Sequence, residues 1–290
     1  MNRALKVTRA DHTGVGRVVA GDAVKFWVDA FGAIGRSTCR SSMNLPANFR
    51  AFVVFMALVT APVGSGRAQT IDAAQPRGYI VAFGLSDEQN VFASEARGAA
   101  TILARYYGRG VPPLVYTNTR TSSRATVANL RVALANAASR MDRENDVLFV
   151  FLTSHGSERG VAVKAGRRES VLTPSQLGEV LRETHARKKV LIVSACFSGI
   201  FIPLADPGTL VITAADAMHP SFGCEKSASW TYFGRAFFSQ AMPKTENLRD
   251  AFITARSTVS ARERKEGYQL SNPQMWGGEN FAARLRATPQ

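Results

Sequence analysis

The stretch VLFVFLTSHG, residues 147–156, decides the fold class of this chain. Its six consecutive apolar residues lack the polar alternation of a half-exposed strand, and they lead directly into Thr, Ser, His and Gly. A continuous apolar run predicts a central strand of a parallel sheet, buried on both faces. Ligands bind where such strands end, at the carboxyl edge of the sheet. We therefore expect His155 to lie at this edge.

A second stretch with the same pattern predicts a partner for this histidine. KKVLIVSACFSG, residues 188–199, is another apolar run, and it ends in small residues and Cys196. Parallel strands of one sheet end at the same edge. We expect the two strands to bring His155 and Cys196 to one site.

The remaining sequence alternates between strand and helix patterns, which predicts an α/β fold with a doubly wound, mostly parallel sheet. Strands are predicted at residues 78–84, 113–118, 146–151, 188–195 and 208–215. Helices are predicted at residues 91–107, 126–141, 230–242 and 248–265, and another begins after Thr173 with Pro at its first position. The patterns at residues 156–170 and 271–281 predict a hairpin or loop and irregular structure, respectively.

The composition of the 290 residues, 46% of them hydrophobic, is that of a folded globular protein. A net charge of +14 can indicate nucleic acid or membrane lipid as a partner. The basic residues are spread along the chain without a long run of like charges, so no nucleic-acid partner is expected. His185 and His219 lack partners at metal-ligand spacing, and no metal site is expected.

Residues 43–68 have the pattern of a secretory signal peptide, with an apolar core and small residues before a cleavage site after Ala68. A signal peptide begins at the amino terminus, so we interpret residues 1–42 as an over-extended start and Met43 as the true one. The mature chain, 69–290, would be a single domain, secreted or periplasmic. It would contact a membrane only if the signal segment stays uncleaved. A buried core helix is the alternative interpretation of the apolar core.

Cys196 and Cys224 are the two cysteines of the predicted mature chain. They do not make a disulfide framework, although they could pair in an oxidising compartment. A free thiol near a histidine suits nucleophilic catalysis, because the thiolate attacks a carbonyl and the imidazole later protonates the leaving amine. Gly156 beside the histidine allows a substrate to approach the backbone closely. Each residue alone could be structural, but together they predict a Cys/His hydrolase.

Further motifs resemble those of the legumain-type cysteine peptidases, relatives of the caspases that include the catalytic subunit of the GPI-anchor transamidase. The strand ending in SHG and the later strand ending in SACFSG carry the first part of this likeness. The rest lies in the order of TAA at 213–215, SFGC at 221–224 and TYFG at 231–234. The likeness covers residues 78–242 and is closest to the bacterial secreted branch of the family.

The resemblance implies a caspase-like three-layer sandwich, with a mostly parallel central sheet flanked by helices, and a cysteine-type endopeptidase. Cys196 would be the nucleophile that forms a thioester acyl-enzyme with a peptide or protein substrate, and His155 the general acid and base. The backbone N–H groups of Gly156 and Cys196 would form the oxyanion hole. Asn90 is a candidate to orient the histidine. No metal or organic cofactor is implied.

By the same likeness Ser194, Ser221 and Arg235 would line the substrate pocket. Legumain has acidic residues at the positions where this chain has Ser154, Ser194 and Arg235, so asparagine specificity is not expected. Arg235 would instead favour substrates that bear a carboxylate, since a guanidinium pairs with such groups bidentately. A solvated helix arginine is the alternative interpretation.

Two other functions stay open on these residues. A transpeptidase or transamidase would use the same dyad, with an amine instead of water resolving the acyl-enzyme. A caspase-like binding protein that has lost turnover is the second alternative. The intact His155 and Cys196 argue against it, whereas the changed Ser154 and Ser194 favour it.

Overall fold

The computed structural model describes residues 75–225 and 227–289. The segments predicted at 1–42 and 43–68 lie outside these residues, as does the beginning of the domain predicted at 69–290. Among the residues described, no helix is both long and apolar enough to cross a membrane.

Strands and helices alternate along this part of the chain. The strands are β1 (Gly78–Gly84), β2 (Leu114–Thr119), β3 (Ser122–Ser123), β4 (Val147–Thr153), β5 (Gly156–Ser157), β6 (Gly160–Ala165), β7 (Arg168–Leu172), β8 (Lys188–Ser194), β9 (Thr209–Thr213) and β10 (Gln274–Trp276). The α-helices are α1 (Asn90–Leu103), α2 (Val127–Arg140), α3 (Pro174–Glu183), α4 (Tyr232–Gly234) and α5 (Leu248–Glu266).

The main sheet has seven strands in the order β10-β9-β8-β4-β1-β2-β3. Its five inner strands are parallel, and the edge strands β10 and β3 pair antiparallel with their neighbours. A second, antiparallel sheet consists of β5, β6 and β7. This order places β4 and β8 side by side in the middle of the main sheet.

The burial of β4 explains why its first six residues are apolar. All seven of its residues are buried. Phe149 and Phe151 belong to a hydrophobic cluster with residues of α1 and α5, whereas Leu148 and Leu152 belong to one with residues of α2 and α3. Each large apolar side chain removed from water in this way stabilises the fold by about 1.5–3 kcal/mol. The predicted α/β sandwich of three layers with a mostly parallel sheet is therefore confirmed.

Two of the predicted helices begin with a capping threonine. Thr126 caps α2 through its side chain, which accepts from the N–H of Asn129. Thr173 and Gln176 form a reciprocal capping box at the start of α3, and Pro174 occupies its first turn. Pro is tolerated there because the first N–H groups of a helix have no intrahelical partner.

Two predicted segments contain more regular structure than expected. The chain at 156–170 forms the strands β5 and β6 and most of β7, so the hairpin interpretation is correct. The chain at 271–281, predicted to be irregular, contributes the edge strand β10, which pairs with β9. The sequence did not predict this strand because it is only three residues long and is followed by Gly277 and Gly278. Three residues are too few to show an alternation of polar and apolar side chains.

Two predicted helices are α-helical only in part. The stretch predicted at 91–107 is α1 followed by a π-helical segment, Ala104–Gly108. The stretch predicted at 230–242 begins with the single turn α4 and continues as a π-helical segment, Arg235–Ala241. The prediction rested on apolar spacing, which does not distinguish the two helix types.

Candidate active site

The backbone register of β4 and β8 brings His155 and Cys196 to the same place. Thr153 is the register partner of Ser194 at the carboxyl ends of the two strands. His155 and Cys196 each follow their strand by two residues, so they leave the same edge of the sheet at equivalent positions. The expected placement of both residues at one edge is confirmed.

The segments that directly follow β4 and β8 are in contact with each other. A Cβ atom on Gly156 would lie 2.0 Å from the carbonyl oxygen of Cys196, so only glycine fits at this position. The N–H of Ser154 donates to the carbonyl of Ser194 at 3.3 Å, and its buried hydroxyl donates to the carbonyl of Ala162. The segments that carry the histidine and the cysteine are therefore packed against each other without an intervening side chain.

The Cys196 thiol is half-buried and lies against Ser221. The backbone N–H of Ser221 points to Sγ at 3.3 Å and its hydroxyl lies 3.8 Å from the sulfur. The thiol in turn is 3.4 Å from the carbonyl oxygen of Ser221. The sulfur is therefore held by both the backbone and the side chain of Ser221. Ser221, predicted to bind substrate, thus also contacts the sulfur itself.

The residue after the cysteine turns the chain sharply. Phe197 has φ 56°, in the left-handed region that non-glycine residues rarely adopt. Its N–H donates to the carbonyl of His219 at 2.9 Å. This bond ties the turn to the same loop that presents Ser221, so the sulfur is held between two segments of the chain.

His155 is 34% exposed and is held on two sides. Its Nε2 lies 3.2 Å from Oε2 of Glu88, and its ring meets Phe92 edge-on, with ring centroids 4.9 Å apart. Glu88 also pairs with Lys164, and the hydrogen bond from this lysine is the main cause that lowers the pKa of the Glu88 carboxyl. A hydrogen-bond partner at one ring nitrogen fixes the orientation of the imidazole.

The sequence indicated Asn90 for this orienting role, and here the structure differs. Asn90 is the exposed first residue of α1, whereas the group that meets the imidazole is Glu88, two residues earlier. The loop that carries Glu88 is fixed to the second sheet, because the N–H of Lys164 donates to the carbonyl of Leu85. This contact joins residues far apart in sequence, so local spacing could not reveal it.

Ser194 lies beneath the surface of the site. It is 1% exposed, and its hydroxyl lies 3.3 Å from Glu95 Oε1 and 3.1 Å from the hydroxyl oxygen of Thr231. A direct contact with substrate, as predicted from the family likeness, would require this cluster to open. Burial raises the pKa of the Glu95 carboxyl to about 7, even though its hydrogen bonds act in the opposite direction.

The other two residues singled out by the sequence are more peripheral. Arg235 is exposed directly after α4, so its role in substrate selection remains a prediction. Cys224 is half-buried and free, as is Cys196, so the pairing considered from the sequence is not formed. Burial is the main cause that raises the pKa of the Cys224 thiol, followed by the charge of Cys196.

Comparison with known proteins places this geometry in a family. No curated protein matches the chain. Among solved structures, caspase-1 from Spodoptera frugiperda is 13% identical over 70% of this chain and 87% of its own, with a TM-score of 0.49. The model of the peptidase C13 family matches residues 113–283, more than half of the chain, and this span includes His155, Cys196 and Ser221. The chain therefore belongs to the peptidase C13 family, the legumain family, and is a cysteine peptidase.

Proposed function

We propose that the protein is an endopeptidase that cleaves peptide bonds with Cys196 as nucleophile and His155 as general acid and base. The observation that carries this proposal is the in-register end of β4 and β8, which delivers both residues to one edge of the sheet. The contacts from Ser221 support the proposal as well, because they hold the Cys196 sulfur at that edge. The carboxylate of Glu88 also supports the proposal, because it contacts Nε2 and orients the imidazole.

The reaction would proceed through a thioester. Cys196 transfers its proton to His155 and attacks the carbonyl carbon of the scissile bond, and the C–N bond then breaks as His155 protonates the leaving amine. Water, deprotonated by the same imidazole, adds to the thioester and releases the acid and the thiol. The N–H groups of Gly156 and Cys196 are the proposed donors to the oxyanion in both steps.

The proposed site of action is outside the cytoplasm, on peptide or protein substrates. This part of the proposal comes from the signal-peptide pattern at 43–68 and the suggested cleavage after Ala68. Mass spectrometry of the amino-terminal peptide of the exported protein tests it, and the expected first residue is Gln69. A mature protein that retains residues from 1–42 contradicts both the start and the cleavage site.

Thiol labelling tests the coupling of the dyad without knowledge of the substrate. Purified protein is treated with iodoacetamide over a pH series, and labelling of Cys196 is followed by peptide mass spectrometry. We expect fast labelling below a free-thiol pKa of about 8.5, and loss of this reactivity in His155→Asn. The matched control is His185→Asn, because His185 is exposed in a turn with φ 54°, which asparagine tolerates.

Different outcomes separate the competing functions. Slow labelling that does not depend on His155 would contradict the dyad and favour the binding protein without turnover. If the dyad is confirmed, a peptide library with and without an added amine distinguishes hydrolysis from transpeptidation. Transfer of the acyl group to the amine in preference to water would contradict the endopeptidase. An adduct of the acyl mass on Cys196 would identify the thioester.

A further inference from the structure

Glu95 carries a fully buried carboxyl group that the proposed mechanism does not use. It lies near the middle of α1 and has no exposed surface. A carboxyl group that loses its hydration is strongly destabilising unless polar groups of the protein replace the water. The contacts of Glu95 therefore indicate what this group does.

Three hydroxyl groups surround the carboxyl. Thr153 donates to Oε2, Thr231 donates to Oε1 at 2.6 Å, and Ser194 donates to Oε1 at 3.3 Å. All three residues are buried, and they come from β4, from the turn before α4 and from β8. Glu95 is the point at which these separate segments meet.

Two of the partners stand directly before the proposed dyad. Thr153 and Ser194 are register partners, and His155 and Cys196 follow them by two residues. The carboxyl group of Glu95 bridges the last paired residues of the two strands. Backbone pairing sets their register, and this side-chain bridge is a second connection between the two strand ends, just before the loops that carry His155 and Cys196.

The third partner connects the carboxyl to the segment that carries Arg235. The hydroxyl oxygen of Thr231 accepts from the N–H of Gly234 at 2.9 Å and so caps the α4 turn. A Cβ atom on Gly234 would lie 1.8 Å from Oε1 of Glu95, so only glycine fits against the carboxyl. The α4 turn, which directly precedes Arg235, therefore packs against Glu95.

We propose that Glu95 is a positioning residue. It holds His155 and Cys196 at the separation that the reaction requires, and it fixes residues 231–235 beside the ends of the two strands. It acts through Thr153 and Ser194 and touches neither the sulfur nor the substrate. The inference rests on the proposed function of the dyad. It predicts that loss of a hydroxyl from the cluster lowers the reactivity of the cysteine although the dyad itself is intact.

A matched pair of variants tests this role. Thr153→Val removes one hydroxyl from the cluster and keeps the shape of the side chain. Thr209→Val is the control, because Thr209 is also buried in a strand of the main sheet but its hydroxyl has no hydrogen-bond partner among the described residues. We expect the rate constant for iodoacetamide labelling of Cys196 to fall about tenfold in Thr153→Val, since small misplacements of reacting groups cost large factors in rate. In Thr209→Val it stays at the wild-type value.

Substitutions of the glutamate itself give a second readout. Glu95→Gln keeps an oxygen that accepts from Thr231 and places an amide donor toward Thr153, whereas Glu95→Leu keeps neither contact. We expect the glutamine variant to retain most of the labelling rate and the leucine variant to lose it, with kcat affected more than KM once a substrate is available. If the leucine variant does not fold, the threonine pair decides.

The outcomes distinguish the two proposals. Labelling of Thr153→Val at the wild-type rate, while the histidine variant His155→Asn is slow, would overturn the positioning role and leave the dyad intact. Labelling that does not depend on His155 in the parent protein would overturn both. Equal loss in Thr153→Val and Thr209→Val would reduce the effect to general destabilisation of the sheet and would also overturn the positioning role.

Discussion

Replacing Glu95 with glutamine should change how the stability of the protein depends on pH. Burial raises the pKa of this carboxyl from the ordinary value of 4.5 to about 7. Between these two values the folded protein keeps the proton and the unfolded chain does not. Stability decreases with pH wherever the folded state binds more protons, so ionisation of Glu95 destabilises the fold as the pH rises from 4.5 to 7.

The magnitude follows from the separation of the two pKa values. Each pH unit between them contributes about 1.4 kcal/mol, so the wild-type protein should lose about 3 kcal/mol of its free energy of unfolding between pH 4.5 and pH 8 because of this group. Glutamine does not ionise and closely resembles the protonated acid in shape. The difference in stability between Glu95→Gln and the wild type should therefore move in favour of the variant by about 3 kcal/mol over this range.

Urea denaturation of both proteins at several pH values between 4.5 and 8 measures this difference. The contributions of all other titrating groups cancel in the comparison, provided that unfolding is two-state. Glu179→Gln, which removes an exposed carboxylate from α3, controls for the general loss of a negative charge. A difference between wild type and Glu95→Gln that stays constant across the pH range would refute the reasoning, as would one that moves in favour of the wild type.

Three further predictions concern the site itself. Gly156→Ala should lower kcat/KM about 100-fold, because its Cβ would meet the carbonyl oxygen of Cys196. Gly108→Ala, whose Cβ would have its nearest contact at 3.4 Å, should remain active. Lys164→Met should raise the pKa of Glu88, because the hydrogen bond from this lysine is the main cause that lowers it. In a plot of kcat/KM against pH, the decline on the acidic side should then begin at a higher pH. An unchanged acidic side would contradict the role of Lys164 and Glu88 at the site. Cys224 should react with iodoacetamide more slowly than Cys196 at pH 7, because burial raises the pKa of the Cys224 thiol. Preferential labelling of Cys224 would contradict the proposal that Cys196 is the nucleophile.

The sheet and the position of the proposed dyad could be predicted because they depend on patterns within short stretches. A strand buried on both faces is apolar at nearly every position, and the first six residues of β4 are apolar and buried. The same holds for the apolar run of β8, which ends at Ser194 before the cysteine. Since both strands are parallel neighbours, two local patterns were enough to place two distant residues at one edge.

The carboxylates that support the site could not be found in this way, although one of them left a signal. Glu88 lies in a loop, and nothing in its local sequence distinguishes it from a solvated acidic residue. Glu95 stands on the apolar face of α1, three residues after Phe92 and four before Ala99, which are both buried. A charged residue within the buried stripe of a helix predicts a polar partner in the core, but its partners are 58 or more residues away in sequence.

These two acidic residues support the proposed dyad through different side chains. Glu88 contacts the imidazole itself from a partly exposed position, and Lys164 lowers the pKa of the Glu88 carboxyl. Glu95 acts on the ends of the strands through the hydroxyl groups of Thr153 and Ser194, in a buried cluster. Both residues precede residue 113, where the match to the family model begins, as does β1, the neighbour of β4 in the sheet. The match to the family model therefore includes His155 and Cys196, whereas Glu88, which contacts the imidazole, and Glu95, which bridges the strand ends, lie outside it.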